Sequence, residues 1–383
     1  MKRCSEEDSV VISGTGLFTP PHVITNFELV QSYNAYVDNF NTENSTAIEQ
    51  GKVVALQHSN SEFIEKASGI KQRYAMYKEG LLDIERMLPL VPRRSSDELS
   101  ICAEMAIAAA TEALNSANKR PEDIDLVICG SSTTQRAWPA VAIEIQQALG
   151  CSGYAYDMSV ACSTATFGIS NAIDAISSGM ARHVLVVNPE YITPQINYRD
   201  RDTHFIFGDV ATAVIVEKAE TATGEHLFEV LHRKLKTSFS NNIRNEFSYI
   251  TRAEPNLTLE RFFEEDQWFR QQGRKVFKEL LPLVCNLIKS QLDENGIEAT
   301  QLRRMWLHQA NINMNNFTVQ KLLGRKPQAD EAPIVLDTYA NTASAGAIIA
   351  FHLFHGDLVQ GDRGLICSFG AGYSIGSLLV EKM

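Results

Sequence analysis

The stretch YAYDMSVACSTATFGISNAIDAISSG, residues 154–179, places a cysteine between a strand and a helix. Residues 154–160 predict a buried strand. Residues 164–178 predict a helix, because apolar side chains recur on one face and Gly179 follows as a stop. Cys162 would then lie where a helix offers unpaired N–H groups and its positive dipole end. We expect a partly ionised, nucleophilic thiol there; the alternative is a buried structural cysteine.

Two later segments also place a polar side chain just before a helix. The string MWLHQAN, residues 305–311, predicts a short strand that ends in His308 and precedes a helix over residues 313–323. The string YANTASAG, residues 339–346, leads from Asn341 into a helix over residues 347–354. In stacked α/β layers such ends converge on one face. The pattern therefore predicts one site that contains Cys162, His308 and Asn341.

This order of residues resembles the β-ketoacyl-acyl carrier protein synthase III family, which belongs to the thiolase superfamily of condensing enzymes. The local strings that match are HQAN at 308–311, NT at 341–342 and FGAGYSIGSLLV at 369–380. The resemblance implies an α/β fold with five thiolase-like layers, α-β-α-β-α, and two pseudo-symmetric halves. Strands that alternate with helices twice along the chain agree with two such halves. We expect residues 1–217 to carry the nucleophile and residues 218–383 to carry the histidine and the asparagine.

Length and composition exclude several other classes of protein. A chain of 383 residues is too long for one simple core. Its net charge of −11 argues against a nucleic-acid partner. Seven cysteines without a CxxC pair predict reduced thiols and no metal site. Residues 1–8 lack the apolar run of a signal peptide, and no stretch is long enough to span a membrane. We therefore expect a cytoplasmic protein without a membrane partner.

The organisation of the chain leaves two further questions. Residues 31–59, 77–96 and 237–266 are largely polar and predict long loops. Such loops serve as lids or specificity elements, or they are surface insertions, and the sequence leaves both interpretations open. The string GTG at residues 14–16 is not followed by a third glycine that opens a helix, so it does not predict a dinucleotide-binding loop.

The resemblance implies a decarboxylative Claisen condensation that needs no cofactor. Cys162 would take the acyl group of an acyl-CoA, and a malonyl thioester, expected on acyl carrier protein, would then lose carbon dioxide and attack it. The oxyanion needs two N–H donors, which we assign to Cys162 and to the backbone at Ala371 and Gly372. His308 and Asn341 would donate hydrogen bonds to the malonyl thioester carbonyl.

Other residues are candidates for substrate contact. In members of the family that are primed by acetyl-CoA, an aromatic residue and an arginine hold the adenine. Here Phe63 keeps the aromatic face, but Ala67 stands where the arginine would. Phe207 and Asn311, in the matching strings FGDV and HQAN, are further candidates. Asp209 of FGDV is interpreted as structural.

The acyl end of the substrate involves the expected dimer. The family forms homodimers through the edge of the central sheet, and a loop of the partner closes the acyl pocket. Residues 133–142, with Trp138, resemble that loop. The loops over residues 31–59 and 77–96 could wall a longer channel, so we expect a medium-chain primer rather than acetyl-CoA. In the opposite interpretation Trp138 plugs the pocket.

Two other functions stay open at this point. A condensing enzyme of the hydroxymethylglutaryl-CoA synthase or head-to-head type would need a glutamate base near the cysteine. Glu144 and Glu190 lie in suitable neighbourhoods but in no matching string. A non-catalytic partner subunit would normally have lost one of the three site residues, and none is lost here.

Overall fold

A computed structural model describes residues 9–133, 135–255 and 257–383. Cys4 and the N-terminal stretch on which the signal-peptide prediction rests lie outside these residues, as does Thr134. Within them the chain forms thirteen strands and ten α-helices. The strands are β1 Val10–Phe18, β2 His22–Thr25, β3 Gln72–Ala75, β4 Leu126–Gly130, β5 Tyr154–Met158, β6 His183–Glu190, β7 Val210–Lys218, β8 Phe228–Ser240, β9 Ile243–Arg244, β10 Arg270–Gln271, β11 Leu302–Leu307, β12 Arg363–Gly370 and β13 Gly372–Lys382. The helices are α1 Asn26–Glu43, α2 Ser45–Glu49, α3 Ser61–Ser68, α4 Ile101–Ala117, α5 Val141–Leu149, α6 Thr164–Ser177, α7 Gly273–Glu294, α8 Ile312–Leu323, α9 Leu336–Tyr339 and α10 Gly346–Leu353.

Nine of the strands are hydrogen-bonded in the order β11-β12-β13-β8-β1-β7-β6-β4-β5. On one side, β4 is parallel to β5 and β6, whereas β7 is antiparallel to β6 and β1. On the other side, β11 is parallel to β12, whereas β13 is antiparallel to β12 and β8. The two sets meet through a short pairing between β1 and β8. Strand directions therefore repeat on the two sides of the β1–β8 junction.

The apolar side chains divide among the layers according to the period of two along each strand. In β4, Leu126 and Ile128 face a core that contains α6 and α10, while Val127 and Cys129 face a core that contains α4 and α5. A third core packs α7 and α8 on β11, β12 and β13. The layers are therefore helix, sheet, helix, sheet, helix, which confirms the predicted thiolase-like α/β fold. The division into halves at residue 217 stays a prediction.

The strand that precedes Cys162 is not buried as the sequence led us to expect. β5 is the last strand of the sheet order, and its residues are half-buried or exposed in the single chain. The apolar run of residues 154–158 thus lies at an open sheet edge. An edge strand with unpaired backbone groups is a template for pairing with another chain.

The predicted loops have three different outcomes. Residues 31–59 are largely helical, because α1 buries Leu29, Tyr33 and Val37 on one face and has a capping box between Thr25 and Glu28. The narrow apolar stripe made this helix look like a polar loop. Residues 77–96 contain no helix or strand, as expected. Residues 237–266 begin in β8 and continue through β9 into short 3-10 turns.

Two further local features bound helices. The helical turn α9 begins at Leu336. Ser100 caps α4, since the Ser100 hydroxyl accepts a hydrogen bond from the Ala103 N–H. Among the described residues, no helix combines the length and apolar character needed to cross a bilayer.

The glycines of the GTG string have a packing role in β1. A Cβ atom at Gly16 would lie 2.0 Å from the Ala109 carbonyl oxygen, and one at Gly14 would lie 2.4 Å from the Ala113 carbonyl oxygen. β1 and α4 therefore approach so closely that no side chain fits between their backbones. The string marks this contact in the core rather than a nucleotide site.

We predict that Gly16→Ala lowers the free energy of unfolding by about 1–3 kcal/mol, because the backbone of α4 has to move away from β1. Denaturant unfolding measures this difference. Gly356→Ala is the matched control, since a Cβ atom there meets no atom within 4 Å. Equal stability of the two variants would contradict the close-packing argument.

Candidate active site

Cys162 lies in a sharp turn between β5 and α6. The residue before it, Ala161, has a φ of +46°, which is a strained value for a side chain with a Cβ. The Thr164 hydroxyl holds the turn, because it accepts from the Val160 N–H at 2.8 Å and donates to the Ala161 carbonyl at 2.6 Å. α6 begins at Thr164, so Cys162 stands beside the N-terminus of a helix of 14 residues, as predicted.

The other side of Cys162 is formed by the end of β12. A Cβ atom at Gly370 would lie 2.5 Å from the Cys162 Cβ, so only glycine allows β12 to pass this close. The backbone N–H groups of Ala371 and of Cys162 itself interact with the Cys162 thiol and lower its pKa. These are the groups that the sequence assigned to the oxyanion hole, and Gly372 lies beside them in the wall of the same cavity.

The thiol is neutral in the resting chain. Burial first and the nearby charge of Glu190 second raise the pKa of Cys162 to about 12, although the two backbone N–H groups act in the opposite direction. The prediction of a partly ionised thiol considered the helix dipole and omitted burial. The structure shows that desolvation is the larger effect.

His308 follows directly on β11. Its backbone N–H donates to the Cys367 carbonyl at 2.8 Å, and its imidazole ring packs edge-to-face on the Phe369 ring, with 5.2 Å between the ring centres. Burial lowers the pKa of His308 to about 4, so the imidazole is neutral at physiological pH. Nδ1 is buried and has no hydrogen-bond partner among the described residues. Phe369 precedes Gly370, which links His308 to the backbone beneath Cys162.

Asn341 lies between two strained residues. Ala340 has a φ of +58° and Ala343 a φ of +46°. The Asn341 Oδ1 accepts from the Ala343 N–H at 2.9 Å, which fixes the orientation of the amide and reserves its Nδ2 hydrogens. Of the five residues other than glycine with positive φ in the described chain, three adjoin Cys162 or Asn341. Strain of this kind concentrates at functional sites.

Cys162 opens on a cavity of about 610 Å³, a size suited to a small ligand. Phe207 and Phe269 form part of its wall and pack edge-to-face at 4.7 Å. Ala343 also lines the cavity, whereas His308 and Asn341 are not among its lining residues. The described residues 31–59 and 77–96 contribute no lining residue, so the prediction that they wall the channel was wrong. Segment 237–245 lines the cavity instead.

The remaining candidates for substrate contact lie away from this cavity. Phe63 is half-buried on α3, and the guanidinium of Arg201 lies over its ring at 4.3 Å. The sequence missed Arg201, because 138 positions separate it from Phe63 and it lies in no matching string. Trp138 is 84% exposed and does not touch the cavity of its own chain, so a plug at this pocket would have to come from the partner chain.

The structure gives Asn311 an internal role rather than the predicted contact with substrate. Its Nδ2 donates to the Ala67 carbonyl at 2.7 Å, and its Oδ1 caps α8 by accepting from the Asn313 N–H. Both ends of the amide are therefore engaged, and Asn311 ties α3 to the loop after His308.

The acidic residues near Cys162 have protein partners. Glu144 accepts from Ser100 and from Arg136, and among the described residues Glu190 accepts only from serines. Neither lines the cavity. Asp209 accepts from Met76, Ile192 and Thr193, in line with its structural interpretation. Within the described parts of the chain, no group of three His, Cys, Asp or Glu side chains is placed to bind a metal ion.

Known proteins share this sequence and fold. The family profile of 3-oxoacyl-[acyl-carrier-protein] synthase III matches residues 156–236, and its C-terminal profile matches residues 292–382. The β-ketodecanoyl-[acyl-carrier-protein] synthase of Pseudomonas aeruginosa is 53% identical over 92% of this chain and 100% of its own. The β-ketoacyl-[acyl-carrier-protein] synthase III of Aliivibrio fischeri is 31% identical over 76% of this chain and 87% of its own.

Solved structures agree with these sequence matches. The crystal structure of 3-oxoacyl-[acyl-carrier-protein] synthase III from Aquifex aeolicus superposes with a TM-score of 0.73. It is 25% identical in sequence, and the match covers 97% of this chain and 99% of that one. The resemblance first seen around Cys162, His308 and Asn341 therefore extends over the whole fold, and the chain belongs to the 3-oxoacyl-[acyl-carrier-protein] synthase III family of condensing acyltransferases.

Proposed function

We propose that this enzyme transfers the acyl group of an acyl-CoA to Cys162 and condenses it with a malonyl thioester carried by acyl carrier protein. The observation that carries this proposal is the strained Cys162 turn, which opens on an apolar cavity with two N–H donors directed at the sulfur. The thiol attacks the thioester carbonyl, and CoA leaves as the second thiol. The same N–H donors stabilise the oxyanion of that step.

His308 and Asn341 serve the second half-reaction in this proposal. A neutral imidazole and an oriented amide can both donate to the malonyl thioester carbonyl as carbon dioxide leaves and negative charge collects on its oxygen. The lowered pKa of His308 keeps the imidazole neutral. The resulting carbanion attacks the acyl group on Cys162, which releases a 3-oxoacyl thioester and the free thiol.

We further propose that the primer is a medium-chain acyl group. The relative from Pseudomonas aeruginosa is named for a ketodecanoyl product. Because condensation adds two carbons, a ten-carbon product corresponds to an eight-carbon primer. The cavity volume and its aromatic wall at Phe207 and Phe269 support an acyl chain of this kind.

The contacts at the two ends of the substrate complete the proposal. Phe63 supplies an aromatic face and Arg201 a planar guanidinium for the adenine of CoA. Arg201 thus takes the role of the family's arginine, whose position is occupied here by Ala67. The open edge of β5 and the exposed Trp138 support a homodimer. The same proposal includes a division into two halves, residues 1–217 and 218–383, and a cytoplasmic location.

The alternative reactions have less support. A hydroxymethylglutaryl-CoA synthase-like or head-to-head condensation needs a carboxylate that reaches the substrate. Glu144 is paired with Arg136, and Glu190 lies behind the cavity wall. A non-catalytic partner subunit would not need a strained nucleophile turn.

We predict that Cys162→Ala abolishes formation of the acyl-enzyme, because the other described cysteines do not line the cavity. Intact-mass spectrometry after incubation with octanoyl-CoA measures the adduct. Cys162→Ser should recover little, since no adjacent base activates a serine hydroxyl there. Cys151→Ala is the matched control and should acylate normally. Acylation of the Cys162→Ala variant would contradict the nucleophile assignment.

His308→Ala and Asn341→Ala should each keep acylation and lower condensation with malonyl thioester about a hundredfold, because each removes one donor to the developing charge. Rapid-quench assays of the two half-reactions separate these effects. If either variant loses both half-reactions to the same extent, the proposed division of roles is wrong.

We expect octanoyl-CoA to acylate the enzyme faster than acetyl-CoA. Each additional buried methylene contributes about 0.8 kcal/mol, so six more carbons favour the longer chain by several kcal/mol. Acylation rates with the two thioesters measure the preference. Trp138→Ala tests the opposite interpretation, in which removal of a plug would increase only the octanoyl rate. A clear preference for acetyl-CoA would contradict the medium-chain proposal.

A further inference from the structure

Glu190 is a fully buried carboxyl group that the reaction described above does not use. It is the last residue of β6 and has 0% exposure. Its side chain lies between two segments of the chain, one after a strand and one after a helical turn. These are Ser131 and Ser132 after β4, and residues 340–345, here called the Asn341 loop.

The Ser132 side of this contact reaches the cavity. The Ser132 hydroxyl donates to the Glu190 Oε2 at 2.6 Å, and the Ser132 N–H lies 3.1 Å from both carboxyl oxygens. The Ser131 hydroxyl adds a longer contact at 3.4 Å. Ser132 itself lines the cavity beside Cys162. Glu190 is thus separated from the cavity by a single side chain.

The other side of the contact holds the Asn341 loop. The Ser344 N–H donates to the Glu190 Oε1 at 3.2 Å, and the Ser344 hydroxyl donates to the same oxygen. Ser344 follows Ala343. The backbone of Ala343 has a strained, positive φ, and its N–H orients the Asn341 amide. A strained backbone persists only where its surroundings hold it. The two bonds from Ser344 therefore help to keep Asn341 in its orientation.

The donors to Glu190 are all neutral. Every hydrogen bond to Glu190 from the described residues comes from a serine hydroxyl or a backbone N–H, and none comes from a cation. The buried carboxyl group of Asp209, which has a structural role, is also held by neutral donors, so this feature alone does not give Glu190 a function. What sets Glu190 apart is that one of its donors, Ser344, belongs to the Asn341 loop.

The charge of Glu190 acts on the nucleophile. Burial raises the pKa of Glu190 to about 7, and the hydrogen bonds from Ser132 and Ser344 lower it. The thiols whose pKa its charge raises are Cys162, Cys102 and Cys129. An ionised Glu190 thus disfavours the Cys162 thiolate, and removal of the charge should favour it.

We propose that Glu190 is a positioning residue that holds the Asn341 loop for condensation and sets the electrostatic environment of Cys162 without touching the substrate. This inference rests on the proposed function of Cys162 and Asn341. Loss of the carboxyl group releases the Ser344 N–H and hydroxyl, so Asn341 loses its orientation. Acylation needs only Cys162 and its N–H donors, so it continues.

The first test compares Glu190→Ala, Glu190→Gln and the control Glu144→Gln in the full-length enzyme. Glu190→Ala should keep octanoyl transfer to Cys162 and lower condensation with malonyl thioester about a hundredfold, the effect of a misplaced catalytic group. Glu190→Gln should recover part of this loss, because its carbonyl can still accept from Ser344. Glu144→Gln should leave the ratio of the two half-reactions unchanged.

Equal loss of both half-reactions in Glu190→Ala, or normal condensation, would overturn the proposal. If Glu190→Ala does not fold, Ser344→Ala removes one donor only and should lower condensation more than acylation; no such difference would also overturn it. Failure of the proposed function has a different appearance, because the unsubstituted enzyme would then form no adduct on Cys162.

The second test follows alkylation of Cys162 by iodoacetamide as a function of pH, with peptide mass spectrometry to identify the modified residue. Glu190→Gln should shift the midpoint to lower pH, because it removes a negative charge near the thiol. Glu144→Gln should not shift it. An unchanged midpoint in Glu190→Gln would show a purely structural residue and contradict the proposal.

Discussion

The close approach of β12 to the Cys162 turn is the contact on which the site depends. Gly370 leaves no room for a Cβ atom against Cys162, so the backbone at the end of β12 lies directly against Cys162, which follows β5. Hydrogen bonds fix this junction: the Ser163 hydroxyl donates to the Ser374 carbonyl at 2.9 Å, and the hydroxyls of Thr166 and Ser368 lie 2.7 Å apart. The Ala371 N–H reaches the sulfur only because the two strand ends meet here.

Burial sets the chemical state of this junction. It raises the pKa of Cys162 and lowers that of His308, so both side chains are neutral in the resting chain. A neutral imidazole carries one N–H and can act as a hydrogen-bond donor. Glu190 is also buried, and neutral donors from two segments, rather than a cation, bind its carboxyl group.

The enlarged segments of the chain divide between support and substrate contact. Residues 31–59 are mostly α1 and α2, and Tyr33 of α1 stacks on His204 at 4.8 Å. This helix therefore supports the segment that leads to Phe207. Segment 237–245, by contrast, lines the cavity with Phe239 at an exposed position. This segment, and not residues 31–59 or 77–96, therefore shapes the cavity next to Cys162.

The fold class and the strand-to-helix position of Cys162 could be predicted from the sequence, because periodicity and turn residues are local properties. The grouping of His308 and Asn341 with Cys162 stays a prediction. The sequence did not show that burial raises the pKa of the Cys162 thiol, that both ends of the Asn311 amide are hydrogen-bonded within the chain, or that β5 is exposed. Those depend on desolvation and on sheet order, which arise only when distant segments pack. The contacts of Arg201 with Phe63 and of Glu190 with Ser344 could not be predicted for the same reason. The partners in these contacts lie 138 and 154 positions apart along the chain. Tertiary structure alone decides which such groups meet.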